Sequence, residues 1–243
     1  MKKLIFLLII VTNIFAINIP DYAKESRWAT QVEDSLMDGD IVKISGADKD
    51  FIGIFTESED SSNKAAIIIH GIGIHPDWAT VINPLRVSLT TQKYNTLSIQ
   101  MPVLENGINS SEYRGLMNIA SGRIAMSVNY LEENGYEIDT IIAHSLGTTM
   151  ASNYLANVPN PIANYISIGA GFYSIENLKI INTNILDLYG TDDIKVVLDS
   201  AKKRQNAAKH NQDYSQKIIT GDHFFTNNTQ GLIDTVHNWI NNL

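Results

Sequence analysis

"IDTIIAHSLGTTMA", residues Ile138 to Ala151, passes from a β-branched apolar run into a turn of small residues and then into a segment of helical character. Where a strand feeds a helix through so tight a corner, the residue at the bend is pushed out of the chain and backbone amides point the same way. Ser145 occupies that corner. A serine so placed is suited to act as a nucleophile, although small residues beside it also serve plain packing of a helix on a strand.

The rest of the chain limits what such a serine can belong to. With 243 residues, 44% hydrophobic and 18% charged, the sequence can build one domain with a sizeable core. It opens on "MKKLIFLLIIVTNIFA", a basic start followed by an apolar run and by Ala16 where a signal peptidase could cut. Residues 1–16 therefore read as an export signal and residues 17–243 as a single mature domain, periplasmic or secreted. A short uncleaved anchor is the competing reading, because Ile14 is not small. Asn13 and Asn18 interrupt the apolar run well before the roughly 20 residues a membrane span needs, so no stable membrane insertion is expected after cleavage.

The absence of cysteine excludes disulfides, thiol catalysis and cysteine-based zinc sites. A formal net charge of −8, more negative still without Lys2 and Lys3, repels a nucleic-acid backbone on average. Nucleic acid is not an expected partner.

Short apolar runs alternate with segments of helical periodicity along the chain, without repeats or an interdomain linker. After an early hairpin around Ile41–Ile44 and Phe51–Thr56, the strand candidates are Ala65–Ile69, Thr96–Gln100, Thr140–Ala143, Tyr165–Ile168, Ile185–Tyr189 and Lys217–Ile219. Their β-branched content suits a parallel sheet covered by helices on both faces. Helical stripes lie between them, the clearest being Leu232, Ile233, Val236, Trp239, Ile240 and Leu243.

Four motifs in chain order carry a resemblance to the α/β-hydrolase superfamily. "AHSLG" resembles its nucleophile elbow, with Ala143 in place of the usual first glycine; an alanine methyl is tolerable there and a larger side chain is not. "IIIHGIG", Ile67–Gly73, resembles its oxyanion loop, and "LDLYGTDD", Leu186–Asp193, its acid turn. "IITGDHFF" places His223 after the last strand candidate. The further stretches "HPDWATVINPLR" and "NTLSIQMP" are similar to exported bacterial α/β-hydrolase-like proteins catalogued as a domain of unknown function.

The resemblance implies a mostly parallel sheet of about eight strands with helices on both faces and little or no cap, since Gly169–Thr183 leaves room only for a short connection. It also implies a catalytic triad of Ser145, Asp193 and His223, in the required order, with the backbone amides of Ile72 and Leu146 as an oxyanion hole. Asp192 competes with Asp193, which is favoured by its spacing from Gly190, and either acid could instead cap the following helix. His70, His75, His144, His210 and His237 fit the base position less well than His223, and Asp222 is expected to point elsewhere.

No metal or cofactor is implied. The expected activity is serine hydrolysis of a small-molecule ester, or of a thioester or amide, through an acyl-enzyme; the alternative is an exported binding protein that keeps the fold without turnover. The cleft is expected to be open and bordered by Ile74–Trp78, Val103–Tyr113 and Phe172 with Tyr173, although Trp78, Phe172 and Tyr173 could equally be core residues.

Overall fold

In the computed structural model, which describes residues 18–243, the β-branched runs form one eight-stranded sheet. The proposed export signal lies outside the described residues. Helix α1 (Tyr22–Ser35) leads into β1 (Asp40–Ile44) and β2 (Phe51–Thr56), followed by β3 (Lys64–Ile69), α2 (Ile82–Ser88) and β4 (Asn95–Ile99). Then come α3 (Met117–Glu133), β5 (Glu137–His144), α4 (Leu146–Asn157), β6 (Asn164–Ile168) and the single-turn α5 (Ile175–Leu178). The chain ends with β7 (Asn184–Asp192), α6 (Lys195–Ala207), β8 (Tyr214–Asp222) and α7 (Thr229–Ile240).

The strand order is β1-β2-β4-β3-β5-β6-β7-β8. β2 pairs antiparallel with both β1 and β4, which confirms the early hairpin, and every later pairing is parallel. Alternation along the strands divides the core into two layers, because successive side chains leave opposite faces of a sheet. Ala65, Ile67, Ile69, Ile141 and Ala143 join α3 and α4 residues such as Ile124, Leu131, Met150 and Tyr154. Ala66, Ile68, Ile142 and Ile166 face α2 and α7 through Ile82, Leu85, Leu232 and Val236.

Nothing in the apolar spacing of residues 17–40 marks α1, and the structure shows why. It docks largely through charge: Glu25 and Asp48 both accept from the buried Arg123 of α3, at 3.0 and 2.8 Å. Lys24 donates to the carbonyl of Leu104 at 3.0 Å, and Asp21 caps the helix by accepting from the Lys24 amide at 2.9 Å. Trp28 on this helix sets its ring edge-on to His70 and His75.

This topology places the site. Chain leaving β3 turns toward β4, and chain leaving β5 turns the other way toward β6, so a crevice opens where β3 and β5 end side by side. His70-Gly71-Ile72 follows one end and Ser145 the other.

Candidate active site

Ser145 sits between the last residue of β5 and the first of α4 with φ 55° and ψ −125°, a conformation that costs a non-glycine residue on the order of 1–3 kcal/mol. Neighbouring bonds hold it there. Its amide donates to the Ile168 carbonyl at 2.8 Å, and its own carbonyl accepts from the Thr148 amide at 3.0 Å and from the Thr148 hydroxyl at 2.6 Å. The alanine that departs from the usual pattern is harmless: Ala143 is fully buried in the α3–α4 layer.

His223 donates from Nδ1 to Asp193 Oδ1 at 2.6 Å, which leaves Nε2 to accept the Ser145 hydroxyl proton at 2.8 Å. Asp193 is itself oriented by two amides, Ile194 to Oδ1 at 2.8 Å and Gly190 to Oδ2 at 3.3 Å. The structure thus brings Asp193, not Asp192, to the imidazole; Asp192 is exposed and accepts from the Thr191 hydroxyl. Asp193 is not the side-chain cap of α6, whose N-cap residue is Ile194. Asp222 accepts from the amides of Phe224 and Thr226 and points away, as expected.

Two approaches leave no room for a side chain. A Cβ on Gly71 would lie 2.7 Å from Ser145 Cβ, and one on Gly169 would lie 2.9 Å from His223 Cε1. Ile72, which follows Gly71, and Leu146, the first residue of α4, share with Ser145 the lining of a cavity of about 130 Å³. As the first helical residue, Leu146 has a backbone N–H with no partner inside the helix.

The cavity is completed by Ser110, Thr149, Gly171, Phe172, Tyr173 and the Ile194–Val197 turn of α6. Here the sequence expectation needs correction. Phe172, Tyr173 and the 103–113 segment do border the cleft, the last through Ser110, but Ile74–Trp78 does not. Ile74 is buried and Trp78 packs against the layer that faces α2 and α7, so the apolar residues of that loop are drawn into the core. Val196 and Val197, at the start of α6, take the bordering position instead; the apolar pair right after the acid turn was the available signal.

Two other histidines reach the site without touching Ser145. His70 accepts the Met101 amide proton on Nε2 at 2.9 Å, so its Nδ1 donates to the Gly71 carbonyl at 2.8 Å. His144 donates from Nε2 to the His223 backbone carbonyl at 2.9 Å. Burial pushes both imidazoles down to about 3, so each is neutral at physiological pH. His210 and His237 lie elsewhere, against Ala207 and Ser88. Among the described residues no group of three or more His, Cys, Asp or Glu is arranged to hold a metal ion.

The family model described as a protein of unknown function (DUF3530) matches residues 16–118, which include α1 and the Gly71 turn and stop short of Ser145. No curated protein matches the sequence. Among solved structures, the Pyrococcus furiosus esterase Pf2001 superposes with a TM-score of 0.71 at 15% identity, covering 87% of this chain and 95% of that one. An alpha-beta serine hydrolase homologue from Coxiella burnetii gives 0.66 at 15% identity, covering 84% and 98%. The chain has the α/β-hydrolase fold. Est1E from Butyrivibrio proteoclasticus shares this α/β-hydrolase architecture at a TM-score of 0.66 and 12% identity, covering 82% of this chain and 97% of that one. In this chain the connection from β6 to β7 contains only a short turn and the single-turn α5, with no inserted cap.

Proposed function

We propose that this α/β-hydrolase is a serine hydrolase that cleaves carboxylic esters of small size through an acyl-enzyme on Ser145. One observation carries the reading: a strained serine whose hydroxyl meets His223 Nε2 at 2.8 Å, while Nδ1 of the same ring meets Asp193 at 2.6 Å. In this mechanism His223 takes the hydroxyl proton as Oγ bonds to the acyl carbon. The amides of Leu146 and Ile72 receive the negative oxygen of the tetrahedral intermediate. The protonated imidazole then gives its proton to the leaving alcohol, and water, deprotonated by the same ring, releases the acid. Asp193 holds the imidazole in the productive tautomer and stabilises its charged form. A cavity of about 130 Å³ supports a short acyl group, because each further methylene needs new apolar surface worth roughly 0.8 kcal/mol.

Labelling the mature protein with a fluorophosphonate probe tests the reading. The wild type should label and turn over p-nitrophenyl acetate, and Ser145→Ala should do neither. An unlabelled wild type would reject a serine hydrolase and favour a binding protein that keeps the fold. The enzyme is also proposed to act outside the cytoplasm, on the strength of the basic and apolar residues 1–16. N-terminal sequencing of the exported protein should then begin near Ile17.

A further inference from the structure

Behind one wall of the cleft lies a buried polar cluster that the hydrolytic steps do not use. Arg204 of α6 donates from Nε to Asp187 Oδ2 of β7 at 2.8 Å, and both side chains are almost fully buried. The same carboxylate oxygen accepts from the Tyr214 hydroxyl at 2.6 Å and from Gln216 Nε2 at 2.9 Å. Asp187 Oδ1 and Arg204 Nη2 are buried without a hydrogen-bond partner. Such a pair is a poor way to gain stability, since desolvating both charges offsets most of their attraction. What the guanidinium reaches gives it another role.

Arg204 Nη1 donates to the carbonyl of Ala170 at 2.5 Å, the carbonyl of Val197 at 3.0 Å and the Ser200 hydroxyl oxygen at 2.6 Å. Ala170 belongs to the turn after β6. The preceding Gly169 lies against the His223 ring, and the following Gly171, Phe172 and Tyr173 form one wall of the cleft. Val197 belongs to the first turn of α6, which with Ile194 and Val196 forms the adjoining wall. A Cβ built on Gly171 would lie 3.6 Å from Val196 Cγ2, so the two walls face each other about one methyl group apart. One nitrogen therefore ties together the two backbone segments that bound the cavity.

We propose that Arg204, anchored by Asp187, is a positioning residue that holds these two walls together and so sets the acyl-chain length the cleft accepts. The inference rests on the ester-hydrolase reading and adds the determinant of its selectivity. If the tie is cut, the turn at Ala170 and the start of α6 can part, and the cavity deepens toward the space the guanidinium filled.

Two variants test this. Arg204→Lys keeps a charge beside Asp187 but cannot reach the carboxylate and the Ala170 carbonyl together. The double variant Asp187→Leu with Arg204→Met replaces the buried pair by apolar groups, an exchange that folded proteins commonly tolerate. Circular dichroism and thermal melts establish folding; kcat/KM is then measured on p-nitrophenyl acetate and hexanoate. The hexanoate-to-acetate ratio should rise about tenfold in the double variant and by less in Arg204→Lys. A ratio equal to wild type in either folded variant overturns the proposal, because a residue needed for stability alone would change melting and leave the ratio untouched. Loss of folding in both would likewise assign the pair to stability and overturn it. A wild type that neither labels with fluorophosphonate nor turns over either ester would instead reject the hydrolase reading itself.

Discussion

His144 donates its Nε2 proton to the backbone carbonyl of His223 at 2.9 Å, while Ser145, the next residue in the chain, meets the ring of that same His223 at 2.8 Å. Two consecutive residues at the end of one strand thus grip both the backbone and the side chain of a residue nearly eighty positions later. The imidazole of His144 is a spacer as much as a donor: it fixes how far the loop carrying His223 stands from the elbow.

His144→Leu should therefore lower kcat by about ten- to a hundred-fold with little change in KM, since small misplacements of a reacting group are penalised on that scale. His144→Gln, which keeps an N–H at similar reach, should recover part of the loss. Steady-state kinetics on p-nitrophenyl acetate checks this; equal rates for wild type and His144→Leu would remove His144 from the positioning machinery.

Asp193→Asn should reduce kcat by about 10⁴, because an amide there favours the wrong imidazole tautomer. Asp192→Asn should stay near wild type, its carboxylate being exposed and bonded only to the Thr191 hydroxyl. His223→Ala should leave the melting curve cooperative and remove most turnover. If Asp192→Asn were the damaging change, the acid assignment would move by one residue.

Stability should fall as pH drops below 6.5, in part through His70 and His144. Their folded values are held near 3 by burial, whereas the unfolded chain titrates near 6.5. Between those limits the unfolded state binds protons that the native state refuses, so acid favours unfolding, with a limiting slope of about 1.4 kcal/mol per pH unit for each histidine. From pH 6.5 to 5 the wild type should lose about 1.6 kcal/mol more than His144→Gln, as measured by urea denaturation. Parallel stability curves for the two proteins would contradict a neutral, buried His144.

Ser145→Gly should abolish labelling and turnover yet melt at a higher temperature than Ser145→Ala. Glycine adopts φ 55° without strain, whereas alanine retains the backbone penalty, a difference of about 1 kcal/mol. Differential scanning calorimetry on the two inactive variants reads this directly. The opposite order would mean that the elbow is not strained as described.

The elbow, the acid turn and the histidine loop were legible because each sits where a strand ends, and strand ends are written in short local patterns. "AHSLG" needs small residues beside the bend, and the acid follows its glycine at a fixed spacing. Helix α1 was not legible, since two of the three residues it buries, Lys24 and Glu25, are charged and only Val32 is apolar, and Arg123, nearly a hundred positions away, is what receives Glu25. Charged residues in a helical segment signal solvent unless the distant partner is known. Ile74–Trp78 misled for a related reason. An apolar loop after a strand end can line a cleft or fill a core, and only the packing of α2 and α7 against the sheet decides which. His144 and Arg204 act through long-range hydrogen bonds to backbone carbonyls, a kind of contact that no residue pattern announces.

His223 follows β8, and among the described residues α7 is the one helix after it. A chain leaving the ribosome consequently carries Ser145, the Gly71 turn and Asp193 for some time before it has His223. Until β8 has paired with β7 along the open edge of the sheet and the His223 carbonyl has met His144, the Ser145 hydroxyl has no imidazole beside it. On the proposed mechanism, activity would thus be a late event in the life of each molecule. On that mechanism, partly synthesised or partly folded chains should be silent toward esters, and turnover should appear only when β8 has closed on β7.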